Sequence, residues 1–248
     1  MITEKRLLSV AVCLPLWLAA ACATSEPTSA PAVLLFNGQG TSPNDVTALE
    51  RILRTHRLGY ATADSARLDA MTESDLKSYR LVLVPGGNFV QIGQGLATST
   101  TSRLRAAVGS GVNYLGICAG AFFAGDSPYN GLNLTSGVRF RFYAAEDRGI
   151  RKTAVAITPA GSTPVDHYWE DGPELTGWGE VVAKYPDGMP AVVQGTFGDG
   201  WIVLAGIHPE APDNWRGGLT FTTPASVANA YAATLIDAAL NRTRLTHY

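Results

Sequence analysis

The chain has 248 residues, 46% of them hydrophobic, and a formal net charge of −2. That is enough apolar material for one sizeable core, which excludes wholesale disorder. The near-balanced charge supplies no basic stripe, so nucleic acid is not an expected partner, and the 26 glycines and 14 prolines predict many tight turns rather than long helices.

Lys5 and Arg6 form a basic start, and residues 7–21 are an apolar run, interrupted by Pro15, that ends in Ala19-Ala20-Ala21. This reads as a secretory signal, too short for a transmembrane span. Cys22 follows, where a bacterial lipoprotein signal places its diacylglyceryl acceptor; Leu18 sits one place further out than that pattern prefers. The expected product is a lipoprotein of the bacterial cell envelope, membrane-anchored through Cys22. Ordinary cleavage after Ala21 or Ala23 would instead give a soluble secreted or periplasmic protein. The predicted organisation is therefore a signal at 1–22, a Ser/Thr/Pro tether at 23–31 and one domain at 32–248. Cys13 leaves with the signal and Cys22 becomes terminal, so Cys118 is left as a single internal thiol with no disulfide framework.

Residues 32–37 (AVLLFN) are a continuous apolar run, as expected of a strand buried on both faces. The turn after it contains Gly38 and Gly40. It lacks the third glycine of a dinucleotide fingerprint and the lysine of a phosphate loop, so it reads either as a glycine turn into a helix capped at Asn44 or Asp45, or as a ligand-lining loop. Residues 45–57 are helical by period, with Val46, Leu49, Ile52 and Leu53 on one face. A strand at 58–62, a short capped helix at 72–78 and a strand at 80–84 (RLVLV) follow.

The third strand ends in Pro85-Gly86-Gly87-Asn88, where free glycine backbone offers Gly87 as an oxyanion donor, with Ala119 as its partner; a plain β-turn is the alternative. Residues 89–98 read as a loop and 101–109 as a helix. Residues 112–121 (VNYLGICAGA) then read as a strand, a tight Gly-Ile-Cys-Ala-Gly turn and a helix at 119–124, the geometry of a nucleophile elbow. A helix starting beside the thiol favours thiolate. The plain alternative is a small buried cysteine in a packed core.

The second half turns to strands, expected at 138–142, 153–157 and 164–169. An aromatic-acidic turn at 168–173 (YWEDGP) could supply Tyr168 and Trp169 as ligand walls or pack on the sheet edge. A meander spans 179–184, 191–197 and 201–207, with Pro186-Asp187-Gly188 and Gly198-Asp199-Gly200 as its turns. A helix at 224–242 closes the chain. Alternating strands and helices predict an α/β fold, a doubly wound, mostly parallel sheet of flavodoxin-like type, with a C-terminal antiparallel extension.

The last strand runs into His208-Pro209-Glu210. A histidine removes the proton from a cysteine nucleophile and later protonates the leaving group. In extended chain Glu210 points the same way as His208 and would hold its tautomer. GICAG, VPGG and HPE together resemble the class I glutamine-amidotransferase-like superfamily. LVPGGN, YLGICAGAFFA and YWEDGP more narrowly resemble the N-terminal domain of eukaryotic biotin–protein ligases and its stand-alone bacterial relatives.

The resemblance implies Cys118 as nucleophile, His208 as base, Glu210 as orienting acid, and the Gly87 and Ala119 N–H groups as oxyanion donors. It also marks departures. Phe122 stands where glutamine amidotransferases usually carry a glutamine, which suits a more apolar ligand. No synthetase domain and no biotin-ligase adenylate loop is present, so neither ammonia transfer nor biotin ligation fits. The expectation is a thiol hydrolase acting on an amide or γ-glutamyl-type bond of a small molecule or peptide, requiring no cofactor and no metal. The alternative is a non-catalytic pocket walled by Phe122, Tyr168 and Trp169. A redox or glyoxalase-like relative is disfavoured, since AVLLFN places no carboxylate on the first strand.

Overall fold

The computed structural model describes residue 1 and residues 31–248. The expected signal, the lipid acceptor Cys22 and all of the tether except Pro31 lie outside the described residues. In chain order the elements are β1 (Val33–Phe36), α1 (Pro43–Thr55), β2 (Tyr60–Ala63), α2 (Ser65–Ala70), α3 (Glu73–Lys77), β3 (Leu81–Val84), α4 (Phe89–Gln94), α5 (Thr98–Gly109), β4 (Asn113–Ile117) and α6 (Ala119–Ala124). There follow β5 (Arg141–Phe142), β6 (Lys152–Pro159), β7 (Val165–Glu170), β8 (Pro173–Glu174), β9 (Glu180–Lys184), β10 (Pro190–Phe197), β11 (Gly200–Ala205) and α7 (Ala225–Asn241). Among the described residues no helix is long and apolar enough to cross a membrane.

Nine strands form one sheet in the order β2-β1-β3-β4-β11-β10-β9-β6-β7. The first five are parallel, and the last four extend the sheet antiparallel. The doubly wound sheet and its antiparallel extension are thus both present. The inner parallel strands β1, β3 and β4 are buried on both faces because their alternate residues enter different layers, whereas the edge strand β2 is only partly buried. Val33, Leu35, Leu81 and Leu83 pack under α1 and α7, whereas Leu34, Phe36, Val82 and Val84 pack under α2, α3, α5 and α6.

Several local expectations are corrected. Residues 89–94 are helix rather than loop, because the Asn88 side chain caps them through the Gln91 N–H, at 3.1 Å. The cap of α1 is Ser42, with Pro43 at the first helical position, so Asp45 stands inside the first turn instead of capping it. The strand expected at 138–142 shrinks to two residues, paired only with β8. Tyr168, Trp169 and Glu170 belong to β7, so only Asp171 and Gly172 make the turn. On α7, Val227 is exposed; alanines 228, 232 and 239 pack on the sheet beside Leu235 and Ile236.

The antiparallel edge does not end in solvent. Strand β7 curls back over the parallel half, and Tyr168 bridges to His208 through an N–H to carbonyl bond of 2.8 Å, donated by His208. On the same strand His167 is fully buried, with neither ring nitrogen hydrogen-bonded among the described residues and Tyr231 at 5.3 Å. Burial, aided by the Arg216 charge and opposed by Asp166, pushes its pKa down to about 3.

A depressed histidine destabilises toward acid, because below its ordinary value of 6.5 the unfolded chain takes a proton that the native site refuses. Wild type is expected to lose stability relative to His167→Leu by on the order of 1 kcal/mol per pH unit as pH falls below about 6.5. Urea melts at pH 7, 6 and 5 check this; parallel curves for the two proteins would contradict it.

Candidate functional site

The site forms where β4 and β11 end side by side. Their parallel register pairs Ile117 with Ala205. The next residue on β4 is Cys118, whose N–H donates to the Ala205 carbonyl at 2.8 Å. Cys118 then turns sharply, with φ 49° and ψ −104°, in a region L-residues rarely enter. The chain tolerates the turn because glycines flank it. A Cβ on Gly116 would lie 2.5 Å from the Gly120 carbonyl oxygen, and one on Gly120 would lie 2.0 Å from the Val84 carbonyl oxygen. The expected elbow is therefore present, with α6 starting at Ala119 as anticipated.

The two N–H groups expected as oxyanion donors keep their hydrogens free among the described residues. Ala119, as the first residue of α6, donates no hydrogen bond there. Gly87 bridges to Thr41, but the bonds run from Ser42 N–H to Gly86 O and from Asn88 N–H to Gly40 O, which turns the Gly87 N–H away from the pairing. Both proposed oxyanion donors are thus unspent. The thiol itself is buried, and its S–H donates to the Glu170 carbonyl at 3.5 Å.

His208 lies just beyond β11, fully enclosed. Its Nδ1 stands 3.0 Å from Glu210 Oε1, and an equal 3.0 Å from Asp45 Oδ1. Only the first contact has hydrogen-bond alignment, since Asp45 Oδ1 has no hydrogen-bond partner. Burial disfavours the imidazolium, yet the acidic groups that face it, Cys118, Asp45 and Glu210, outweigh burial and raise the His208 pKa well above its ordinary value. With Nδ1 committed to the acids, Nε2 is the nitrogen left to serve the thiol. Tyr168 and Trp215 pack edge-on against the ring, at 5.8 and 6.1 Å.

Asp45 escaped the sequence reading as a site residue. Only its place in a capped helix start following the glycine turn hinted that it points toward the strands' carboxyl ends. The donor atoms of Asp45, His208 and Glu210 fall within 4.8 Å of one another, a spacing that would also attract a divalent cation. Gly86 closes in on that point, however, since even a Cβ there would lie 2.2 Å from Asp45 Oδ1 and 2.5 Å from His208 Cε1. With the Nδ1 hydrogen directed at Glu210, the group reads as a hydrogen-bonded acid pair around an imidazole.

The remaining expected ligand residues divide. Tyr168 lines a polar cavity of about 310 Å³ beside the site, together with Ser42, Asn44, Asp45, Lys152, Glu170 and Trp215. Trp169, its neighbour on the strand, faces the other way and is fully buried against Tyr143, so it is core and not a wall. Phe122 stacks on Phe89 at 4.6 Å and meets Phe142 at 4.9 Å, an aromatic cluster beside the elbow. Gly38 and Gly40 are pressed against Phe36 and Ser65 and against the backbone of α4, which explains both glycines by packing; neither is among the residues of that polar cavity.

Residues 31–131 match the family model for the N-terminal region of biotin–protein ligase. That span includes Cys118 but stops before His208. None of the curated proteins compared with the chain matches it. Among solved structures, the fold is similar to that of a glutamine amidotransferase with TM-score 0.55 and 19% identity, over 72% of this chain and 90% of that one. A glutamine amidotransferase from Thermotoga maritima gives 0.53 and 12% over 85% and 98%. An exo-β-1,4-mannosidase from an Opitutaceae bacterium aligns with TM-score 0.55 and 15% identity, over 85% of this chain but only 36% of that one. The chain thus has a class I glutamine-amidotransferase-like fold, and its first half is similar to the N-terminal region of biotin–protein ligases.

The close glycine packing yields a direct expectation. Gly120→Ala sets a methyl against a backbone carbonyl that cannot yield, and is expected to cost roughly 1–3 kcal/mol and to displace the Cys118 turn. A thermal melt alongside thiol accessibility checks it; an unchanged melting temperature would show that the elbow can relax.

Proposed function

We propose that the chain is an exported, lipid-anchored hydrolase that uses Cys118, His208 and Glu210 on an amide or γ-glutamyl-type bond. The observation that supports this most is the strained Cys118 turn placed beside a buried, carboxylate-held His208 at the ends of adjacent strands. Export and anchoring rest on the sequence of residues 5–22 alone. A glutamine-amidotransferase-like fold is one on which amide-bond chemistry is known, which makes that bond class the natural choice. Ligation of biotin and transfer of ammonia have no partner domain within residues 32–248.

On this reading His208 takes the thiol proton and the Cys118 sulfur attacks the carbonyl carbon. The developing oxyanion lies toward the N–H groups of Ala119 and Gly87. As the C–N bond breaks, His208 returns its proton to the leaving amine. A water then enters, gives a proton to His208 and attacks the thioester, and the carbon–sulfur bond breaks to release the acid. The thiol regains its proton from His208, so the cycle closes without any added reagent.

One observation favours a second reading, a ligand-binding domain that does no chemistry. Cys118 is only 4% exposed and its S–H is already bonded to the Glu170 carbonyl. A binder can keep its thiol buried, whereas a hydrolase must uncover it.

The rate of Cys118 alkylation by iodoacetamide against pH, in wild type and His208→Ala, separates the two. A hydrolase is expected to be alkylated in the folded chain, at a rate that falls about tenfold or more in His208→Ala. Hydrolysis of a γ-glutamyl anilide is expected to fall by about a thousandfold or more in Cys118→Ala. A thiol that reacts only on unfolding, in both proteins, would eliminate the hydrolase.

A further inference from the structure

We infer that Asp45 is a positioning residue for His208, and that Asp45 and Glu210 hold one proton between them behind the imidazole. The inference rests on the hydrolase reading for its consequence but on geometry for its substance.

Nδ1 of an imidazole carries one hydrogen. Two carboxylate oxygens approach it here, Glu210 Oε1 and Asp45 Oδ1, both at 3.0 Å. Glu210 Oε1 takes the hydrogen, and Asp45 Oδ1 is left with none although it is equally close. The other Glu210 oxygen, Oε2, is also buried and without a partner. All three side chains are nine-tenths or more enclosed. Two ionised carboxylates cannot share so dry a space at ordinary cost, as in any close acid pair, and a proton on one of them relieves the repulsion.

The local structure selects which acid ionises. Asp45 lies in the first turn of α1, a thirteen-residue helix, where free N–H groups favour an anion. Glu210 is wholly buried and has no helix end to assist it. Titration follows the same order. Burial raises the Asp45 carboxyl, but the charge of the neighbouring His208, 3.0 Å away, outweighs it and brings the carboxyl below its ordinary value. Burial pushes Glu210 up to about 7, with the Asp45 charge adding to the rise and His208 opposing it. Asp45 thus carries the negative charge opposite the imidazolium, and Glu210 keeps its proton until pH rises through about 7.

The groups that meet this cluster from the packed elements are few. Among the described residues, Cys118 faces it from the elbow, Tyr168 and Glu170 from β7 and Lys152 from β6 across the polar cavity, while the turn after β3 contributes the uncharged Gly86. Ionisation of Glu210 adds negative charge behind His208 and so strengthens it as a base. Sequence proximity assigns the orienting role to Glu210 alone; the geometry divides it, with Glu210 aligning the ring and Asp45 supplying the charge.

The test is carbon-13 NMR of side-chain carboxyls in the full chain, read alongside the pH profile of Cys118 alkylation. One glutamate is expected to titrate near 7, identified by its loss in Glu210→Gln. In Asp45→Asn that midpoint is expected to fall by about one pH unit or more, which is a tenfold loss of proton affinity, and Asp45→Glu is expected to restore part of it. The alkylation profile is expected to lose its inflection near 7 in Glu210→Gln. A wild-type chain whose glutamates all titrate in the ordinary carboxylate range would overturn the inference without any variant. So would an unmoved Glu210 midpoint in Asp45→Asn, or a stoichiometric divalent cation that survives dialysis. Because the carboxyl titration needs no turnover, an inactive chain that still shows it would defeat the hydrolase reading and leave the acid pair standing.

Discussion

The parallel pairing of β4 with β11 is the constraint on which the site depends. It places Ile117 opposite Ala205, so the residues that follow on each strand emerge at the same edge. The Cys118 N–H to Ala205 carbonyl bond then fixes the start of the turn, and Gly116, Gly120 and the Val84 carbonyl pack too closely to let it drift. A strained backbone of this kind costs on the order of 1–3 kcal/mol and persists only where its surroundings over-determine it. Here the surroundings are backbone on three sides.

The second constraint comes from the antiparallel edge. Because β7 curls back to bond His208, the same strand positions the imidazole, lines the polar cavity through Tyr168 and covers the thiol through the Glu170 carbonyl. Fixing the imidazole and burying the thiol are therefore consequences of one strand path. The turn beyond it is tied by Arg151 to Glu146 and to Asp171, but the guanidinium is largely exposed, and such pairs contribute only about 0–1 kcal/mol. The strand is held by its pairing with β6, not by those ions.

The sequence carried the elements whose signal is local. Apolar runs gave the parallel strands, since residues buried on both faces leave no alternation to misread. The GICAG turn was legible because glycines are needed wherever backbone meets backbone. His208 and Glu210 could be paired because they sit two residues apart. Asp45 could not, since nothing local distinguishes a helix-start aspartate that caps a turn from one that enters a site assembled from distant strands. Trp169 was misread for a related reason. An aromatic pair reads as a turn in composition, but in a strand its members face opposite sides, and only Tyr168 reaches the cavity.

Phe122 lies one turn of helix beyond Cys118, and its ring packs on Phe89 and Phe142 as an aromatic cluster beside the elbow. Charged and hydroxyl groups gather instead at the cavity next to Asp45, which is lined by Lys152, Glu170, Tyr168 and Asn44. The Cys118 turn is fixed by backbone packing, while the aromatic cluster and the polar cavity come from unrelated segments of chain, each free to change without disturbing that turn.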